Sequence, residues 1–252
     1  MIGLGALAVA YGDGALRWYS IPAWVPSREA VAYGSGIIML AGGVGLLFKR
    51  KARASAYILF PYLVCWLLLR IPALAAAPLT EVNWQNAGEL AVLVAGAWIL
   101  CAEPAGPAHG WSLRFATGER GVRIAQTLFA LSLLAFGLSH FVYAGQTTPL
   151  VPAWLPFRAG WTYLTGAAHI AAGIGILLSV YPRLAATMEA AMLSVFTLLV
   201  WVPAVMAAPT NVPLWTELLI SWAITAGAWV VAESIPATSP RTTWLKTRFD
   251  NA

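Results

Sequence analysis

Apolar runs long enough to cross about 30 Å of hydrocarbon recur eight times, at 3–19, 29–48, 54–77, 84–102, 123–143, 159–180, 184–207 and 215–233. A backbone immersed in lipid must satisfy its own N–H and C=O groups, which leaves helices or closed barrels. The alternating pattern of barrel strands is missing, so the runs are read as helices. Composition agrees: 60% of the residues are hydrophobic and 10% charged, against roughly 25% charged in soluble domains, and the mean hydropathy is +0.74. The chain therefore reads as an all-α polytopic membrane protein, with the lipid bilayer as its first partner. The first run lacks the basic leader of a signal peptide and is read as a retained, short first span.

The net charge of +5 does not point to nucleic acid, because the basic residues lie between apolar runs and not on one face. They orient the spans instead. Lys49, Arg50, Lys51, Arg53, Arg114, Arg120, Arg123, Arg183, Arg241, Lys246 and Arg248 all fall on one side if both termini are inside. Arg17, Arg28 and Arg158 fall on the other side, and Arg70 lies within a span. The positive-inside rule then gives eight spans with both termini cytoplasmic, and a bacterial inner membrane is the expected location. Cys65 and Cys101 fall at different depths within spans, too far apart for a disulfide, and are read as buried, silent thiols. Neither Cys-x-x-Cys nor a Cys/His cluster with zinc spacing is present, so no metal is expected.

The chain repeats itself. "IPAWVPSREAVAYGSG" (21–36) returns as "VPAWLPFRAGWTYLTG" (151–166), and 21–47 aligned with 151–177 gives 11 identities in 27 positions. After a one-residue shift the match resumes at Pro72/Pro203, Pro78/Pro209, Trp84/Trp215 and "AGAW" at 95–98 and 226–229. Four spans per unit is an even number, so the units run parallel through the membrane. The organisation expected is a diverged first unit (1–102), a Pro/Gly-rich cytoplasmic linker (103–122), a second unit (123–233) and a polar, basic cytoplasmic tail (234–252). Prolines four apart make the repeated loop a stiff connection. Its tryptophan suits the interface, and its arginine is expected to reach headgroups. The glycines after the loop, Gly36, Gly43 and Gly45 with Gly166, Gly173 and Gly175, suit close helix packing.

Residues 136–178 carry Gly-x-x-His-Phe at 137–141, a Val-Pro-x-Trp-Leu-Pro loop, a Tyr-Leu-Thr-Gly helix start and a glycine-spaced helix. This string resembles the DoxX-like family of four-helix membrane proteins. The resemblance covers 123–233 well and 5–102 more weakly, as two units in tandem. It implies kinship with a subunit of thiosulfate:quinone oxidoreductase and, more distantly, with sterol-isomerase-like proteins and receptor-assembly chaperones. Such a range does not settle chemistry.

Ionisable groups within spans are costly and are functional candidates. The second unit holds His140, His169, Glu189 and Glu217, with His140 and Glu217 at a shared outer depth. His169 shares a helix face with Thr162 and Thr165, and Glu217 continues into Ser221 and Thr225 at helical spacing. With Trp161 at the rim, these residues are expected to line an outward-facing cavity. The first unit has Met39 for His169, Leu59 for Glu189 and Asn86 for Glu217. It carries Asp13, Arg70 and Glu89 instead, and Arg70 with Glu89 is expected to form a structural ion pair.

Two functions stand open. In one, the second unit binds a small amphipathic ligand, a quinone or lipid, as an accessory or scaffold subunit. In the other, the protein is the membrane component of a quinone-linked oxidoreductase, with His140 and Glu217 handling protons. No haem pair, iron–sulfur cysteines or nucleotide motif is present, so electrons would come from a redox partner subunit. A transporter ranks lower, because paired short or broken helices with matching polar sites in both halves are not evident in the sequence. The topology makes a direct prediction. Alkaline phosphatase fused after Leu150 should be active, and fused at the C-terminus inactive, with the opposite pattern for a fluorescent-protein fusion.

Overall fold

Helices replace the apolar runs, and prolines and glycines divide them. The computed structural model describes residues 1–12, 26–102 and 116–237, and among these all regular structure is helical. The chain runs through α1 (Ile2–Tyr11), α2 (Arg28–Leu46), α3 (Lys49–Leu68), α4 (Ile71–Ala76) and α5 (Glu81–Ala102). It continues with α6 (Gly118–Val142), a one-turn α7 (Ala144–Thr147), a 3₁₀ turn (Thr148–Leu150) and α8 (Arg158–Leu177). Last come α9 (Pro182–Phe196), a π-helical turn (Thr197–Trp201), α10 (Val202–Ala207) and α11 (Val212–Ser234).

Six stretches are long and apolar enough to cross a membrane: Arg28–Leu46, Lys49–Ala76, Glu81–Ala102, Gly118–Val142, Pro182–Ala207 and Val212–Ser234. The eight runs of the sequence are thus met by six. α8 has 20 residues, but Arg158, Thr162, Thr165 and His169 dilute its apolar character. Of the first run only the 10-residue α1 is described; Asp13, Arg17, Pro22 and Trp24 lie outside the described residues, as do 103–115 and the tail beyond 237.

α5 sits at the centre, packed on α3, α6 and α11. Leu90, Val92, Val94 and Ala95 are buried on different sides of it, as expected of a helix that is apolar all round. α1 and α3 flank α2, α6 and α9 flank α8, and α9 packs on α11. Ile37, Ile58, Leu131, Leu164 and Leu198 face outward, a surface suited to lipid.

Details recur about 130 residues apart. Ser27 and Phe157, each just before its helix, share a left-handed backbone with φ of 54° and 55°. Trp84 Nε1 donates to Pro78 O, and Trp215 Nε1 to Pro209 O, both at 2.8 Å. A Cβ on Gly5 would meet Gly36 O at 2.7 Å, and one on Gly137 would meet Gly166 O at 2.5 Å. The "AGAW" segments face each other: a Cβ on Gly96 would lie 3.1 Å from Gly227 Cα.

Prolines break corresponding helices. Pro72 offers no N–H to the turn before it and crowds the carbonyl four residues back, and α3 ends in a turn at Leu69 and Arg70. Pro203 has the same effect on α9, which widens into the π turn. The interruptions are matched in position, but the polar residues beside them are not.

The repeated loop also differs from expectation. Arg158 does not extend to headgroups; its Nε donates to Val151 O at 2.8 Å and its Nη2 to Pro149 O at 2.6 Å. Both cysteines are free, with Cys101 buried and Cys65 exposed on the surface of α3, so only Cys101 is a core thiol.

The Gly96–Gly227 approach leaves no room for a larger residue. Gly96→Leu should lower stability by about 1–3 kcal/mol in detergent unfolding. Gly34→Ala, where an added Cβ meets nothing within 4 Å, should be neutral or slightly stabilising.

Candidate functional site

α8 contributes Thr162, Thr165 and His169 from one face, because positions three and four apart stack on a helix. α6 brings His140, and α9 brings Glu189. His169 Nδ1 lies 2.7 Å from Glu189 Oε1, and the two side chains are 3% and 0% exposed. The His140 ring stands beside His169 with centroids 5.3 Å apart and planes inclined by 36°. Phe136 meets His169 edge-on at 6.0 Å, and Phe196 lies 6.3 Å from His140 and 6.2 Å from His169. Two imidazoles and a carboxyl group are therefore enclosed by aromatic rings, where electrostatic interactions are strong.

The second carboxyl oxygen, Glu189 Oε2, is buried without a hydrogen-bond partner. Burying a net charge there would be expensive. His140 has a different setting. Thr165 Oγ1 lies 2.9 Å from Thr162 O and 3.0 Å from Trp161 O within its own helix, and 3.3 Å from His140 Nδ1. A hydroxyl has one proton, and the shorter contacts to carbonyls take it. Thr165 Oγ1 is then left as an acceptor for an N–H at His140 Nδ1. His140 is half-buried, so it forms the accessible edge of the cluster.

Thr162 is buried and shares a 3.1 Å hydrogen bond with Thr148 Oγ1, tying α8 to the turn before the repeated loop. Trp161 stands apart. It is 41% exposed and its indole N–H donates to Pro156 O at 3.0 Å, so it braces the loop and does not line the cluster. Ser221 belongs to a second polar group: Thr197 Oγ1 lies 2.7 Å from Ser221 Oγ and 3.2 Å from Thr225 Oγ1. Thr197 opens the π turn, and such turns are frequent at functional sites. Phe196, next in the chain, packs against both histidines and links the two groups. Glu217 is half-buried on α11, one turn before Ser221.

In the first half, Met39 and Leu59 are fully buried where His169 and Glu189 were matched. Arg70, in the turn between α3 and α4, and Glu89, on α5, are both half-buried. Thr148, Phe136, Phe196 and Thr197 escaped the sequence reading; only a proline six residues beyond Thr197, at Pro203, hinted at the distorted helix. Glu81, buried at the start of α5 with neither carboxyl oxygen hydrogen-bonded, also carried no motif. Among the described residues no three His, Cys, Asp or Glu side chains are grouped to hold a metal ion. A cavity of about 510 Å³ lies between α1, α2, α3, α5 and α11, and none of the expected site residues lines it.

A family model described as a domain of unknown function, DUF8561, matches residues 129–232. That stretch contains His140, His169, Glu189 and Ser221. No curated protein and no solved structure is detectably similar to the chain.

Removing one member of a buried hydrogen-bonded pair strands the other, at a cost of about 3–5 kcal/mol. His169→Met alone should destabilise the protein by that order in detergent unfolding. His169→Met combined with Glu189→Leu, the residues matched at Met39 and Leu59, should cost much less than the sum of the single changes.

Proposed function

We propose that this chain is an integral membrane binding protein built from two parallel four-helix units, whose second unit holds the polar head of a small amphipathic molecule, a quinone or a lipid. The observation that carries this reading is the enclosed cluster of His140, His169 and Glu189, with Oε2 of Glu189 unpartnered. A lone polar oxygen in such surroundings costs roughly 1–3 kcal/mol, and a ligand donor offsets that cost. His140 Nε2 would accept a second hydrogen bond at the half-buried edge. The apolar half, with Met39 and Leu59, acts as scaffold, which suits an accessory subunit.

The tandem arrangement draws support from the matched loop, tryptophan and glycine geometry, and the eight-span topology from the charge pattern. On this reading both termini are cytoplasmic and the membrane is a bacterial inner membrane. Likeness to the DoxX-like family points the same way. Arg70 and Glu89 pair as the structural ions of the first unit.

A second reading, a quinone-linked oxidoreductase component, is favoured by the two imidazoles 5.3 Å apart. Reduction of a quinone takes up two electrons and two protons. The histidines would relay the protons, and a partner subunit would supply the electrons. The matched helix interruptions favour the transporter more than the sequence did, but the polar residues of the cluster occupy one half.

Mass spectrometry of molecules extracted from the purified protein separates these readings. One quinone or lipid per chain, retained by the native protein and reduced at least tenfold in His140→Ala, is the expected result. Bulk phospholipid unaffected by that change would remove the case for a ligand at His140.

A further inference from the structure

The cavity between α1, α2, α3, α5 and α11 has a volume of about 510 Å³, within the roughly 300–1,000 Å³ of small-molecule sites. Its walls are mostly leucine, alanine and glycine; no charged side chain lines it, and the one ionisable group in the lining is the α-amino group of Met1. One wall is a stripe along α3: Ala56, Leu59 and Leu63. Positions three, four and seven apart share a helix face, and seven residues before Ala56 stands Lys49. This exposed lysine therefore extends the stripe to the first residue of α3. Leu46 and Leu47 line the cavity from the end of α2, and only Phe48 separates them from Lys49.

Arg50 and Lys51, both exposed, follow at once. The first turn of α3 thus holds three cations, has no acidic residue, and its N-cap residue Phe48 makes no side-chain hydrogen bond. Cations at a helix N-terminus oppose the macrodipole, and an anion there relieves both unfavourable contacts. Arg53 is engaged elsewhere, donating to Tyr57 OH at 3.1 Å.

We infer that the cavity holds an acyl chain of an anionic phospholipid whose headgroup phosphate sits on Lys49, Arg50 and Lys51. An apolar cavity with Lys49, Arg50 and Lys51 beside its Leu46 and Leu47 wall suits an anionic amphiphile, and the lining's one ionisable group, the Met1 α-amino group, adds no negative charge. Basic pockets between spans are suited to such headgroups. This site is separate from the histidine cluster and does not rest on it. It also gives the scaffold half of the molecule a function of its own, the fixing of α1 against α3 and α11 by a bound lipid.

The test uses full-length protein in nanodiscs of phosphatidylglycerol and phosphatidylcholine in equal amounts, followed by native mass spectrometry of lipid retained per chain. One retained phosphatidylglycerol is expected, preferred at least fivefold over phosphatidylcholine. Lys49→Ser should reduce that preference roughly fivefold. Ala226→Trp, at an exposed alanine on the cavity wall, should lower retention of both lipids by occupying the slot. Leu164→Trp, exposed on α8, should leave retention unchanged. Equal retention of the two lipids, retention indifferent to Ala226→Trp, or a lipid-free dimer closing the cavity with a second copy would each overturn the assignment.

Discussion

Apolar side chains gain nothing from water when two helices meet inside a bilayer, so contact between helices depends on how closely their backbones approach. Glycine sets that distance here. Gly96 and Gly227 bring α5 against α11, and Gly137 and Gly166 bring α6 against α8. The second of these contacts places the site, because His140 lies three residues after Gly137 and His169 three after Gly166. A wider separation of α6 and α8 would pull the imidazoles apart. The polar cluster is thus a consequence of small residues that carry no chemistry.

Proline contributes the second constraint. Pro203 distorts α9 into a π turn, and the extra residue in that turn accompanies Thr197 towards Ser221 and Thr225. The same distortion follows Phe196, which packs on both histidines. At Pro72 the first half meets the same loss of an N–H by ending α3 in a turn. One local problem has two backbone solutions, with Thr197, Ser221 and Thr225 joined at the π turn and Arg70 standing in the turn before Pro72.

The two halves divide along chemistry more than along framework. Left-handed residues before α2 and α8 and tryptophans tied to prolines recur with nearly identical geometry. Between these fixed points, Met39 and Leu59 make one interior apolar, while His169 and Glu189 make the other polar. The apolar interior borders the cavity through Leu59, and the polar interior gathers two imidazoles and a carboxyl group.

Helix positions were legible because hydrophobicity and the need to satisfy backbone groups act locally: runs such as 84–102 and 215–233 became α5 and α11. The candidacy of His140, Thr165, His169 and Glu189 was legible too, since a polar residue in an apolar run is conspicuous by itself. Their grouping was not, because α6, α8 and α9 converge through contacts between residues 20 or more apart. Trp161 looked like a rim residue because spacing cannot say whether an indole bonds inward or to its own loop. Likewise Arg158 was assigned to headgroups, since the carbonyls of Pro149 and Val151 come within its reach only when the loop folds back. The sequence by itself determined a helical chain, with several helices apolar enough to cross a membrane, and its inventory of buried polar groups. Tertiary structure alone decided which of those groups meet, which brace a loop, and where a cavity remains, because each depends on distances between helices that no local pattern encodes.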